Sequence, residues 1–397
     1  MKKLGIDVLS AATQRIAWVF DNFPRIYVSF SGGKDSTVML HLVAKEAIKR
    51  NRKIGVLFVD LEGQYKLTID HIKECFSFYL TIIEPYWIAL PLHLRNAVSN
   101  FEPHWICWQP DRKKDWVRDF PPFAINNENY FSFFHYGMEF EEFVLSFGKW
   151  FGQGKLTACF VGIRTVESLN RWRTIATGKK QTMENKCWTT WMGNILYNVY
   201  PIYDWRTEDI WTFHAKNPEL AYNKLYDRMH QAGLSIYQQR ICQPYGDDQR
   251  KGLWLFHVIE PETWARVVAR VNGANQGALY SQESGNILGR IKISKPEHYN
   301  WKEFALFLID SMPKKTSEHY KNKIFVFLQW WGKKGFKDGI PDDGPLERDT
   351  PNWKRICKVL LRNDYWCKGL SFSQQKSHAY EKYLKVMRRR REQWEMI

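Results

Sequence analysis

Cysteine is scarce and scattered in this sequence: Cys75, Cys107, Cys159, Cys187, Cys242, Cys357 and Cys367 form no CxxC pair. An odd, dispersed set gives no disulfide framework and fits reduced thiols in a cytosol. A run of 18 apolar residues is also missing, so no membrane-spanning helix is expected. The opening Met1-Lys2-Lys3-Leu4-Gly5-Ile6-Asp7 has too short an apolar stretch, interrupted by an acid, for a signal peptide. Together these absences predict a cytoplasmic protein. Acidic residues are in deficit, 42 against 58 Lys and Arg, which leaves a net charge of +16. That excess suits a polyanionic partner such as nucleic acid, although a merely solubilising surface has the same composition.

What is present is length and a core. With 397 residues, 44% of them apolar, the chain can form two domains or one large domain with insertions. Its 19 tryptophans are unusual. Some lie near basic residues, as Trp108 and Trp116 do around Arg112, Lys113 and Lys114. Such interleaving suits stacking on bases and suits a packed core equally well.

The most specific pattern lies between Arg25 and Leu40. Residues 26–30 read as a short buried strand, 31–36 as a turn and 37–50 as a helix. Strand, glycine turn and helix N-terminus in that order make a phosphate site. Gly32 and Gly33 let several backbone N–H groups converge, and the helix dipole adds partial positive charge. Lys34 brings a full charge, and Ser31 and Ser36 bring hydroxyls. The spacing is not that of a Walker loop. Residues 53–60 form a second apolar strand, so strand, helix and strand make a βαβ unit with ligands at the carboxyl ends of a parallel sheet. Asp60 then lies on the same edge as the glycine turn. With Glu62 it could hold Mg²⁺ or contact a ribose, or it could simply cap a helix over 67–78.

Further along, 80–100 reads as another strand and crossover, and 101–155 as an aromatic-rich insertion, either a lid or acceptor surface or packing under a long loop. Residues 156–163 return to strand character and run into Arg164, Arg171 and Arg173, forked donors suited to phosphate or equally to solvent. A last strand is expected at 198–203, followed by a helix capped by Thr207 with Glu208 and Asp209 in its first turn. The polar stretch 244–252 is the expected boundary between a domain of residues 1–240 and a mainly helical one of 241–397. Helices are expected at about 253–271, 300–311, 316–334, 352–363 and 373–395, the last ending in Arg388, Arg389, Arg390 and Arg391.

Ser31-Gly32-Gly33-Lys34-Asp35-Ser36 resembles the PP-loop of the ATP pyrophosphatases. Four stretches in order are similar to the phosphoadenosine phosphosulfate reductase family of PP-loop proteins. They are this loop, the strand with Asp60, Gly162-Ile163-Arg164 to Glu167-Ser168, and Pro201-Ile202-Tyr203-Asp204-Trp205 to Asp209-Ile210-Trp211. Asn223-Lys224-Leu225-Tyr226-Asp227 resembles the segment that follows in that family. The resemblance covers about residues 20–235 and implies an α/β fold with a Rossmann-like parallel sheet. The aromatic C-terminal half is similar to the subgroup named after IbrA, the immunoglobulin-binding regulator, which implies a ParB-like partner of the IbrB type.

The resemblance implies ATP with Mg²⁺ as ligands and cleavage between the α and β phosphates to activate an acceptor, for sulfur transfer or nucleic-acid modification. Lys34, Asp35 and Arg164 are the expected catalytic residues. Ser31, Gly32, Gly33, Ser36, Asp60, Gly162 and Arg171 would join them in holding the nucleotide, and Asp60 and Glu62 would hold the metal. The family's reductases carry a C-terminal Glu-Cys-Gly-Leu-His segment, whereas this chain ends Glu392-Gln393-Trp394-Glu395-Met396-Ile397. Reduction of phosphoadenosine phosphosulfate is therefore the alternative, and an iron–sulfur cluster is not expected because the cysteines are dispersed. A further alternative is a nucleotide-dependent regulator that acts with the partner protein.

Overall fold

In the computed structural model, residues 5–99, 102–178, 180–246, 253–274, 293–347, 350–362 and 364–372 are described. Asp7 starts the first helix, α1 (Val8–Asn22), its carboxylate accepting the N–H groups of Leu9 and Ser10 at 3.0 Å. Short apolar runs then alternate with amphipathic stretches and fold as β1 (Arg25–Ser29), α2 (Lys34–Lys49), β2 (Ile54–Val59), α3 (Lys66–Phe78) and β3 (Ile83–Ile88). The chain makes an antiparallel hairpin of β4 (His93–Arg95) and β5 (His104–Ile106). It continues through α4 (Phe140–Gly152), β6 (Thr157–Val161), α5 (Leu169–Ala176), β7 (Thr189–Gly193), β8 (Leu196–Val199), α6 (Thr207–Lys216) and α7 (Leu225–Gln231).

Six strands form one sheet in the order β3-β2-β1-β6-β8-β7, parallel except for the edge strand β7. With flanking helices, this is the expected Rossmann-like α/β fold. The chain moves outward from β1 through β2 to β3, then returns to place β6 on the other side of β1. The strand order reverses there, and ligands of open α/β sheets bind in the crevice at such a reversal. The register sets Ser29 of β1 beside both Leu57 of β2 and Val161 of β6, so the segments that follow β1 and β6 leave the sheet side by side.

Three local expectations are corrected. Part of the aromatic stretch 101–155 is a core helix, since Phe143, Phe147 and Phe151 of α4 recur every four residues. Tyr27 of β1 packs on the last two, with ring centroids 5.4 and 5.2 Å apart. The dense aromatics hid that period. The strand expected at 198–203 stops at Val199, before Pro201, which has no N–H to give a ladder. The single helix expected at 253–271 is two, α8 (Trp254–Ile259) and α9 (Pro261–Arg270), divided where Pro261 starts the second.

The described residues form two compact units, one from 5–92 and 107–241, the other from 93–106 and 242–372. The second is mainly helical, with α10 (Trp301–Asp310), α11 (Lys314–Lys333) and α12 (Trp353–Leu361) around a core that includes Trp301, Ala305, Tyr320, Ile356 and Leu360. Asn300 and Glu303 close a reciprocal capping box on α10, at 2.8 and 2.9 Å. The helix expected at 373–395 and its four arginines lie outside the described residues. Among the described residues no helix is long and apolar enough to cross a membrane.

Candidate functional site

The turn between β1 and α2 is held from within and from behind. Gly32 sits at φ +70°, and a Cβ there would lie 2.8 Å from Ile72 of α3, so both the conformation and the space require glycine. The Ser36 hydroxyl donates to the Gly33 carbonyl at 3.0 Å and lies 3.0 Å from the Ser31 hydroxyl. Asn223 donates to the Gly32 carbonyl at 2.9 Å and to Thr68 at 3.0 Å. The Lys34 N–H donates to the Tyr226 hydroxyl at 2.9 Å. Asn223 and Tyr226 therefore brace the turn from nearly two hundred residues away. In the sequence they stood out only as part of a similar segment, with no role attached.

Lys34 is buried. Its ammonium donates to the Gln239 carbonyl at 3.1 Å, lies 5.2 Å from the centre of the Tyr226 ring and 3.8 Å from Asp35. Burial lowers its pKa; Asp35 opposes this, and Arg164, Arg240 and Arg171 add to it. The peptide carbonyl is a neutral acceptor, and a phosphate oxygen in its place would make a stronger, charge-assisted bond.

Arg164 follows β6 and is 2% exposed. Its Nε donates to Asp35 at 2.5 Å, Nη1 to the Thr207 hydroxyl at 3.3 Å, and Nη2 lies 3.6 Å from Glu167. Glu167 is also paired with Arg171, whose side chain reaches solvent. Lys34, Asp35, Arg164, Glu167 and Arg171 thus form a line of alternating charges from the buried turn to the surface. Thr207 does not cap α6: Arg206 is the capping residue, and its N–H is accepted by Asp209 at 2.7 Å, which leaves the Thr207 hydroxyl facing Arg164. Gly162 permits the close approach of β6, because a Cβ there would lie 3.1 Å from the Ser36 nitrogen at the start of α2.

Asp60 and Glu62 form a separate cluster at the end of β2. Neither has any exposed surface. Asp60 accepts from the Glu62 N–H at 3.0 Å, the Trp87 indole at 2.8 Å and Arg118 at 2.5 Å. Glu62 accepts the N–H groups of Trp108 at 2.7 Å and Val117 at 3.2 Å. It adopts φ +65°, a conformation costly for a residue with a Cβ, which those bonds offset. Asp60 does not cap α3 either, because that helix begins at Lys66 after Tyr65. A cation on these carboxylates would have to displace N–H donors, so the residues present do not fit a Mg²⁺ site. Among the described residues no group of three His, Cys, Asp or Glu is placed to hold a metal. All seven cysteines are free thiols, with Cys187 exposed and Cys242 half-buried.

Behind the turn, imidazoles fasten α2 to its neighbours. His71 of α3 bonds the Thr37 hydroxyl at 2.9 Å, and His41 bonds the Tyr79 hydroxyl at 2.7 Å and the Ala221 carbonyl at 2.8 Å. Burial pushes His71 down to about 3 and His214 down to about 4, and lowers His41 as well.

The chain belongs to the family of the protein named "Uncharacterized protein YbdN" of Escherichia coli, with 46% identity over 398 residues that cover 99% of this chain and 97% of that one. Residues 25–86 and 149–239 match the profile described as the phosphoadenosine phosphosulfate reductase domain, the region that carries the turn, Asp60 and Arg164. Residues 233–343 and 336–381 match one described as a domain of unknown function, DUF3440. Among solved structures, the chain is similar to phosphoadenylyl-sulfate reductase from Candida auris in its phosphate complex, at 15% identity and a TM-score of 0.32, covering 55% of this chain and 84% of that one. It is also similar to the FMN adenylyltransferase of Candida glabrata, at 17% identity and a TM-score of 0.34, covering 55% and 57%.

Proposed function

We propose that this member of the YbdN family binds ATP on the turn 31–36 and cleaves it between the α and β phosphates. An acceptor nucleophile attacks the α phosphorus, the bond to the bridging oxygen breaks, and pyrophosphate leaves with the electron pair. The acceptor keeps the adenylyl group, and its proton passes to solvent. The observation that carries this reading is the convergence of Lys34, the start of α2 and Arg164 at the β1–β6 reversal. Lys34 and the turn's N–H groups would stabilise charge on the departing pyrophosphate, as preorganised donors do. Arg164 and Arg171 would grip the nucleotide, with Asp35 fixing Arg164. A divalent ion accompanying ATP would be carried by the phosphates, and Asp60 and Glu62 are assigned no step with it.

The test is incubation of the pure protein with Mg²⁺-ATP and candidate acceptors, with AMP plus pyrophosphate separated from ADP plus phosphate. Lys34→Ala should weaken ATP binding or turnover at least about tenfold, because a charge-assisted contact is worth roughly 1.5–3 kcal/mol. Unchanged binding and turnover in a folded variant sink the assignment. A second reading, an IbrA-like nucleotide-dependent regulator acting with a ParB-like partner, is favoured by the engagement of Asp60 and Glu62 with internal donors. It predicts ATP binding without any pyrophosphate release. Thiol-dependent sulfite release from phosphoadenosine phosphosulfate would instead favour reductase chemistry.

A further inference from the structure

The helix α5 is poorly covered for one so close to the turn. Of its eight residues only Ile175 is buried. Leu169 is 59% exposed and Trp172 50%, and Val166 just before the helix is 56% exposed. Three apolar side chains left in water within seven residues forgo the burial that α4 gains from Phe143, Leu145, Phe147 and Phe151. Three arginines lie on this helix or at the Glu167 that precedes it. Arg171 ends the line of charges that begins at Lys34, Arg173 is exposed on the same helix, and Arg240 donates to the Glu167 carbonyl at 3.0 Å. Both Arg171 and Arg240 are near enough to bear on the Lys34 ammonium. Lys180 supports the end of the helix by donating to the Thr174 carbonyl at 2.7 Å.

We propose that the exposed apolar residues Val166, Leu169 and Trp172, with Arg173 on the same helix and Arg171 and Arg240 held at Glu167, form a docking surface for single-stranded nucleic acid. The indole offers a stacking plane for a base, the aliphatic side chains offer an apolar edge, and guanidinium forks match phosphate oxygens. An acidic protein segment would meet the charge, but stacking on an exposed indole together with guanidinium recognition suits the alternating bases and phosphates of a single strand. The excess of +16 over the whole chain favours the same occupant. That the bound strand is the acceptor rests on the nucleotide chemistry proposed above, whereas the docking does not.

The experiment uses the full-length chain and labelled single-stranded DNA and RNA oligonucleotides of about 16 nucleotides, near the upper site size of single-strand binders. Anisotropy is followed across salt concentrations. The expected result is affinity that falls steeply with salt. Trp172→Ala should weaken it about fivefold or more, and Arg173→Gln should reduce the log–log salt slope by about 0.7. Both variants should bind ATP as the parent does. Absence of binding at low salt, variants indistinguishable from the parent, or equal displacement by polyglutamate each overturns the proposal. Lys34→Ala separates the two readings: oligonucleotide binding retained with ATP binding unchanged would sink the nucleotide reading alone.

Discussion

At the start of α2, Asp35 keeps 14% of its side chain in solvent and faces two cations, Lys34 and Arg164. At the end of β2, Asp60 and Glu62 keep none and face indole, guanidinium and backbone N–H donors from Trp87, Trp108, Val117 and Arg118. Both sets of carboxylates lie at the carboxyl ends of parallel strands, where the fold places ligand sites. The difference is in their partners. A lysine or arginine side chain can exchange a carboxylate or carbonyl for a phosphate with little rearrangement. The N–H groups of Trp108 and Val117 cannot leave without unfolding the segment that carries them. The first end is therefore suited to binding, while the second is a buried anchor for the chain around residues 108–118.

The strongest way to break this contrast is to remove the anchor. Asp60→Ala leaves the Arg118 guanidinium and the Trp87 indole without their buried acceptor. Loss of one partner of a buried pair costs about 3–5 kcal/mol. The urea midpoint of the variant should fall accordingly. A variant that unfolds like the parent but loses Mg²⁺-dependent ATP binding would move Asp60 back into the site.

The contrast was half legible in the sequence. Ser31 to Ser36 and the flanking strand and helix form one local unit, so their spacing alone predicted the turn and the need for glycine at Gly32. The position of Arg164 was legible in the same way, set by the strand before it. Asp60 was correctly set at a strand end, but its role depends on Arg118, fifty-eight residues later and within a stretch whose aromatics concealed both a core helix and a half-buried cation. Tyr226 and Gln239 close on Lys34 from an even greater distance. Local patterns name the residues that make a turn, and only the tertiary fold names the donors that fill or free a carboxylate.

Acid sharpens the comparison from the other side. His41, His71 and His214 are buried, and burial holds their pKa values below the ordinary 6.5, His71 at about 3 and His214 at about 4. The unfolded chain therefore binds protons that the folded chain refuses, so stability is full above pH 6.5 and declines as the pH falls toward 4. His71 and His214 each contribute a slope of roughly 1 kcal/mol per pH unit in that window, and His41 acts in the same direction. Because His41 of α2 holds Tyr79 and His71 of α3 holds Thr37 of α2, the loss should be felt at the start of α2. Urea midpoints at pH 7, 6 and 5 should decrease in order, with His71→Gln flattening the trend. Midpoints that do not change between pH 7 and 5 would refute the assignment of neutral imidazoles.

The smallest effect is expected from Gly162→Ala, and it tests the binding end by itself. The new Cβ would lie 3.1 Å from the Ser36 nitrogen and 3.3 Å from both the Asp35 carbonyl carbon and the Ser36 Cα. All three are backbone atoms of the first turn of α2, which cannot swing aside as a flexible side chain would. The strain must be relieved by a shift of a few tenths of an ångström between β6 and the helix start. Overpacking of this kind costs about 1 kcal/mol at its mild end. The same shift moves Asp35 against Arg164, so ATP affinity should fall by roughly fivefold, the equivalent of that energy. The Asp60 cluster, at the end of β2, should keep its full contribution. Isothermal titration with ATP alongside urea unfolding separates the two effects. Affinity unchanged despite the predicted loss of stability would mean that the turn tolerates displacement, and that close packing of β6 on α2 serves the fold alone.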